Sequence, residues 1–264
     1  MTVKAIIIGA AGKMGKNIIN AISQTNEIEI TGAVEKSGSN FIGLDSGEVA
    51  GIGKNNVIIT DNLEQIIKNG DVTIDFTSPE ATLNNIKINE KYLKPAVIGT
   101  TGFTEEQKNI ILEISKKIPV LFSPNMSIGV NLLFKLVEIT AKALNRNYDV
   151  EIVEAHHRYK KDAPSGTARK LEEIVSNALG IKNKIYGREG TVGERSSNEI
   201  GIFAVRAGDI VGEHTVIFGG IGERIELIHR AHSRMTFAKG ALQAAIFIAK
   251  QSPGIYSMMD VLNL

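Results

Sequence analysis

The feature that most constrains this chain stands at its start. A short β-branched run, Val3–Ile8, is followed by glycines at 9, 12 and 15 and then by Met14, Ile18, Ile19 and Ile22 at helical spacing. That is a strand, a glycine turn and a helix, and a strand feeding straight into a helix belongs to a parallel sheet with helical crossovers. The pattern repeats, with strand-like runs at Ile28–Val34, 57–60, 72–77, 96–99 and 120–123 and helical patterns at about 62–69, 79–93 and 104–117. Regular alternation of this kind predicts a doubly wound α/β domain closing near residue 126. The stretch 37–54 holds five glycines among polar residues and reads as one long loop.

Beyond a helical pattern at about 128–145 the order changes. A strand at 149–157 and a helix at 165–179 precede three strand-like runs at 199–206, 211–218 and 222–230 with no helix between them. Consecutive strands predict an α+β domain with a mixed or antiparallel sheet. An apolar helix at 235–250 is expected to pack back on the first domain. The expected division is therefore 1–126 with 235–264, and 127–234, which suits a chain of 264 residues.

Composition narrows the function classes. Thirty Lys and Arg against 29 Asp and Glu leave a net charge of +1, so no broad field draws the molecule to nucleic acid or acidic membranes. Aromatic residues at 5% with no Trp leave few rings for stacking bases. No apolar run approaches the roughly 18 residues of a membrane span, and the N-terminal apolar run is too short for a signal peptide, so a cytoplasmic protein is expected. Zero cysteines exclude disulfides, thiolate-bound metals and every thiolate mechanism. No metal is expected: His156 and His157 are adjacent, no HExxH occurs, and His229 with His232 lack a nearby carboxylate pair.

Chemistry concentrates in two places. Gly9, Ala10, Ala11, Gly12, Lys13, Met14 and Gly15 form GAAGKMG, where glycines allow a tight turn and the helix N-terminus offers unpaired N–H groups to a pyrophosphate. The spacing is GxxGxxG, with Ala11 standing where the usual fingerprint has its second glycine. Glu35 ends the second strand, where an acid accepts hydrogen bonds from ribose hydroxyls. A plain turn and a solvated strand end are the bland alternatives, but strand, glycines, helix, strand and acid in this order point to a dinucleotide. Lys36 beside Glu35 suits the extra phosphate of NADP, so NADH and NADPH both stay open. Gly99, Thr100 and Thr101, and Ser123, Pro124, Asn125 and Met126, follow the fifth and sixth strands and are placed for the nicotinamide half, or are ordinary loops.

The second place is EAHHRYKKDAPSGTA, residues 154–168. Adjacent side chains at a strand end point to opposite faces, so His156 and His157 are expected to do different work. Arg158, Lys160 and Lys161 add positive charge, and Ser165, Gly166 and Thr167 open a helix, a receptor for a carboxylate or phosphate. Core histidines, a solvated edge and a simple N-cap are the alternatives taken one by one.

GAAGKMG, Glu35, DFTSPE (75–80), GTTGF (99–103), EAHHRYKKDAPSGTA, RAGDIVGEH (206–214) and SRMTFA (233–238) together resemble the dihydrodipicolinate reductase family from residue 3 to the C-terminus. The resemblance implies a Rossmann-like dinucleotide-binding domain followed by an α+β substrate domain. It implies reduction of 4-hydroxy-tetrahydrodipicolinate to tetrahydrodipicolinate by NADH or NADPH with loss of water, on the diaminopimelate route to lysine. It implies His156 as acid/base and Lys160 as proton donor, with His157, Ser165, Gly166, Thr167 and Arg234 holding a dicarboxylate. A homotetramer built through the second domain's sheet is implied as well. Lys36 stands where the family often has arginine. Another two-domain reductase of a small dicarboxylate, or a non-catalytic dinucleotide sensor, would share the first domain, but the sensor would need neither His156 nor Lys160.

Overall fold

The alternating first half folds into a parallel sheet. In the computed structural model, which describes residues 1–264, the chain divides into two units: 1–128 with 234–264, and 129–233. Ser127, Ile128 and Arg234, placed in the second domain by sequence, thus lie in the first unit.

The first unit runs β1 (Val3–Ile8), α1 (Lys13–Ile22), β2 (Ile28–Val34), α2 (Ser46–Ala50), β3 (Ile59–Thr60), α3 (Leu63–Ile66), β4 (Val72–Asp75), α4 (Pro79–Lys91), β5 (Ala96–Ile98), α5 (Glu105–Ser115) and β6 (Pro119–Phe122). The second unit holds nearly all of α6 (Ile128–Leu144), then β7 (Asp149–His156), α7 (Gly166–Leu179), β8 (Asn183–Tyr186), β9 (Glu199–Arg206), β10 (Gly212–Gly219) and β11 (Arg224–Ala231). The chain then returns to the first unit with α8 (Met235–Ile248), β12 (Gly254–Tyr256) and α9 (Met258–Leu262).

The first sheet has seven strands in the order β12-β6-β5-β4-β1-β2-β3, every pair parallel. Strand order reverses beside β1, so the ends of β1 and β4 flank the crevice where such sheets take ligands. Helix starts are written locally. Ser78 caps α4 with Pro79 in the first position, and Thr104 and Gln107 exchange hydrogen bonds in a capping box at α5. The core is aliphatic, and α8 joins it through a face of alanines: Ala238, Ala241, Ala244 and Ala245 share one cluster with Ile7, Ile18, Ile19, Ile74 and Val97. Small side chains let that helix come close. A Cβ at Gly240 would stand 1.7 Å from the Met126 carbonyl oxygen.

Four elements differ from the sequence pattern. The long loop 37–54 contains α2, because the buried Asp45 carboxylate accepts the N–H groups of Gly47, Glu48, Asn55 and Asn56 at 2.7–3.1 Å. Strands β8 and β12 are short sheet edges without a clear alternation, and β12 extends the parallel sheet by pairing with β6. The run at 57–60 shortens to β3.

The second unit's sheet is mixed, in the order β11-β10-β7-β9-β8, with β9 parallel to β7 and β8 and β10 antiparallel to β7 and β11. Alternation along β7 turns Val150, Ile152, Glu154 and His156 to the buried side. On that side α7 packs with Ala168, Leu171 and Val175 buried. Register then decides the neighbours: Glu154 pairs with His214 on β10 and His156 with Arg206 on β9.

Candidate active site

In the first unit the glycine motif does what its spacing promises. Gly9 adopts φ +77°, and a Cβ there would meet the Thr77 methyl at 2.9 Å. Gly15 lets α1 sit directly on the turn, since its Cβ would stand 2.2 Å from the Gly9 carbonyl oxygen. Gly12 is the N-cap of α1 and has no side chain to cap with, so the first-turn N–H groups of Lys13, Met14 and Gly15 lack intrahelical partners. These groups suit a pyrophosphate. The Glu35 carboxylate is fixed at the turn's edge, accepting from Ala11 N at 3.1 Å and Lys36 N at 3.0 Å. A cleft of about 470 Å³ is lined by Gly9, Gly12, Glu35, Lys36, Phe76 and Thr77 among others. Its size, open turn and fixed acid fit a dinucleotide.

The other expected cofactor residues are divided. Ala10 is buried under the turn, Lys13 is exposed, and Met14 is half-buried against the core. Gly99 is a close-approach glycine, with the Phe76 ring 2.2 Å from where its Cβ would be. Thr100 is buried, its hydroxyl taken up within a network around Asp75, whereas Thr101 is exposed. Ser123 donates to the Asn125 carbonyl at 2.9 Å, Pro124 is exposed, and the Met126 side chain is in the core. Asp75, at the end of β4, is 3% exposed, and burial pushes its carboxyl above the usual range.

In the second unit one buried carboxylate organises the distinctive motif. Glu154 is fully buried and accepts two hydrogen bonds from the Arg206 guanidinium, each 2.8 Å, one from His156 Nδ1 at 2.6 Å, and one from Ser165 N at 3.0 Å. Burial works against its charge, but Arg206 and His156 outweigh it and hold the carboxyl low. An ionised carboxylate only accepts, so the His156 proton sits on Nδ1 and Nε2 is left with its lone pair. Burial pulls His156 below the ordinary histidine value, with Glu154 opposing. Nε2 lies beside the backbone of Gly212, where a Cβ would approach to 3.1 Å.

Ser165 caps α7, its Oγ accepting from Ala168 N at 3.2 Å, and lies 3.0 Å from His214 Nε2. The His214 ring meets His156 edge-on at 5.2 Å between centroids. Burial, and secondarily the charge of His156, push His214 down to about 3. Gly166 is exposed and Thr167 half-buried at the start of α7. His157, beyond the strand end, is half-buried with its ring 6.3 Å from Tyr159. Lys160 pairs with Asp162 at 2.8 Å and by its hydrogen bond holds that carboxyl low. Arg234 lies elsewhere in the chain's organisation, exposed in the first unit just before α8.

Glu154, Arg206 and His214 are the residues that sequence reasoning gave no role. The motif 206–214 stands out in the sequence, but only strand register sets its two ends beside His156 and Glu154, and only the packed start of α7 then brings Ser165 to His214. No group of three or more His, Asp or Glu side chains is arranged to hold a metal ion.

Comparison with known proteins agrees with this geometry. A family model described as dihydrodipicolinate reductase, N-terminus, matches residues 3–126, and one described as dihydrodipicolinate reductase, C-terminus, matches 129–262. The 4-hydroxy-tetrahydrodipicolinate reductase of Hahella chejuensis is 51% identical over 261 residues, 98% of each chain. That of Syntrophus aciditrophicus is 51% identical over 263 residues, again 98% of each. Among solved structures, the dipicolinate-bound dihydrodipicolinate reductase from Paenisporosarcina sp. TG-14 superposes with a TM-score of 0.79 at 25% identity, over 98% of this chain and 99% of that one. An amine dehydrogenase from Mycobacterium smegmatis shares the fold, with a TM-score of 0.63 at 12% identity over 98% of this chain and 95% of that one. With both halves matched in order and relatives half identical along almost the whole length, the chain belongs to the dihydrodipicolinate reductase family and is an NAD(P)H-dependent oxidoreductase.

Proposed function

We propose that this protein reduces 4-hydroxy-tetrahydrodipicolinate to tetrahydrodipicolinate with loss of water, on the diaminopimelate route to lysine. The observation that carries this reading is Glu154, which holds His156 and the N-terminus of α7 on one buried carboxylate, with Lys160 in the short segment between them. A dicarboxylate substrate needs anchors and the reaction needs a proton donor, and these are the parts provided.

When bound in the first unit, NADH or NADPH supplies the hydride. Gly9, Ala10, Ala11, Gly12, Lys13 and Met14 would hold the pyrophosphate and Glu35 the ribose hydroxyls, with Lys36 toward a 2′-phosphate. Gly99, Thr100, Thr101 and the segment 123–126 would border the nicotinamide. Gly166 and Thr167 would offer the first-turn N–H groups of α7 and the Thr167 hydroxyl to one substrate carboxylate, and His157 and Arg234 would serve as further carboxylate contacts. Ser165, whose own N–H goes to Glu154 and whose Oγ caps Ala168 N, fixes that turn rather than touching the substrate. The Lys160 ammonium gives a proton where negative charge develops, and His156 acts as acid/base through Nε2. Assembly as a homotetramer through the second unit's sheet fits the exposed Val205 and Ile228 on the sheet face away from α7. No helix is long and apolar enough to cross a membrane, and we place the enzyme in the cytoplasm, acting on a small molecule rather than on nucleic acid.

The test is direct. Purified protein mixed with NADH and 4-hydroxy-tetrahydrodipicolinate should lose nicotinamide absorbance, and pyridine-2,6-dicarboxylate should inhibit competitively with the substrate. Binding of NADH without turnover would support the sensor reading instead.

A further inference from the structure

We infer that Asp75 is the positioning residue of the cofactor cleft, a buried carboxylate that ties the loops after β4 and β5 together and so fixes where Thr77 meets the glycine turn. The inference rests on the first unit being the dinucleotide site. Asp75 is the last residue of β4 and pairs in register with Ile8, the last residue before the glycine turn. Its Oδ1 accepts from Thr77 N at 3.0 Å, from Thr77 Oγ1 at 2.6 Å and more weakly from Thr100 Oγ1 at 3.5 Å. Its Oδ2 accepts from Asn85 Nδ2 at 2.8 Å. Thr100 Oγ1 in turn accepts from Thr77 N at 3.0 Å and Thr82 Oγ1 at 2.9 Å.

Every one of these partners is a neutral donor, and no cation pairs with the carboxylate. Burying such a group is costly, and an aliphatic side chain would fill a strand end at less expense, so filling space does not account for it. What the carboxylate does achieve is orientation. It draws both the N–H and the hydroxyl of Thr77 inward, which leaves the methyl turned outward, 2.9 Å from where a Gly9 Cβ would be. Gly9 carries the left-handed turn that opens the glycine motif, and Gly9, Phe76 and Thr77 all line the cleft. Through Thr100 the same carboxylate anchors the start of the loop after β5. The distance between the glycine turn and these two loops is therefore set by one side chain that does not itself line the cleft.

The experiment compares Asp75→Ala with Asp75→Asn. Asparagine keeps an acceptor at Oδ1, and the Asn85 amide can turn to accept from the new amide. Asp75→Ala should raise the Kd and KM for NADH by about 10–100-fold while kcat at saturating NADH stays within about threefold, and Asp75→Asn should restore Kd to within about threefold. A merely structural role would lower thermal stability without this split between KM and kcat. If Asp75→Ala does not fold, Thr77→Val serves, since it removes the hydroxyl at nearly constant shape and should raise Kd by about fivefold. A folded Asp75→Ala or Thr77→Val protein with unchanged Kd overturns the inference, as does an Asp75→Asn variant as impaired as the alanine. Wild-type protein that binds neither NADH nor NADPH overturns the dinucleotide reading itself and this inference with it.

Discussion

His156 Nδ1 lies 2.6 Å from one oxygen of Glu154, and the other oxygen of that carboxylate accepts the N–H of Ser165. The proposed acid/base and the proposed carboxylate receptor are thus set by one anion, itself held by Arg206. A shift in Glu154 moves both. Glu154→Gln removes the charge that favours the imidazolium and leaves the burial that opposes it, so the His156 pKa should fall further. The limb of the pH–rate profile that belongs to His156 should move to lower pH, with kcat down by about tenfold as the tautomer is released. A limb that stays in place would separate Glu154 from catalysis.

His214 gives the fold an acid-sensitive point. Burial pushes its pKa down to about 3 in the folded chain, against 6.5 for an ordinary histidine, so folding favours the neutral ring. That contribution is complete above pH 6.5 and is lost as pH falls toward 3. Between pH 7 and pH 4.5 it amounts to roughly 2–3 kcal/mol, to be seen as a drop in the urea midpoint. His214→Gln should flatten that drop, and an equally steep loss in the variant would place the acid sensitivity elsewhere.

Gly240 should tolerate no side chain. With the Met126 carbonyl oxygen 1.7 Å from an ideal Cβ, Gly240→Ala must push α8 away from the segment after β6. The expected loss is roughly 1–3 kcal/mol, read as a lower unfolding midpoint. An unchanged midpoint would show that α8 can move at no cost.

Lys36 stands beside a carboxylate that is already fixed by two backbone N–H groups. Glu35 suits a free ribose hydroxyl and Lys36 a phosphate, so both cofactors should be used. Lys36→Ala should raise KM for NADPH and leave NADH nearly unchanged. A wild-type preference beyond about a thousandfold in kcat/KM, near 4 kcal/mol, would contradict balanced recognition.

The parts of the fold that the sequence makes legible are those fixed by local periodicity. The switch from β-branched runs to helical spacing at Val3–Ile8 and Lys13–Ile22, and its repeats to β6, fall where the pattern puts them. Helix α2 is hidden because it exists through the Asp45 cap rather than through an apolar stripe. Strands β8 and β12 are hidden because a three- or four-residue edge shows no period. In the second unit, the residues from His156 to Thr167 announce themselves by type, but what Glu154, Arg206 and His214 do depends on pairings between strands up to sixty residues apart along the chain. Asp75 is similar: its partners Thr77, Asn85 and Thr100, with Thr82 behind Thr100, come together only once β4, α4 and β5 are in place.

The central claim is that the second unit carries the proton-handling groups and the first unit the cofactor cleft. Its most direct test is the double variant His156→Ala/Lys160→Ala, assayed for kcat and for NADH binding in the same preparation. General acid catalysis is worth about 10²–10⁴-fold, so kcat should fall at least that far while the Kd for NADH stays at the wild-type value. A folded double variant that keeps more than about a tenth of wild-type kcat would contradict the assignment of both residues.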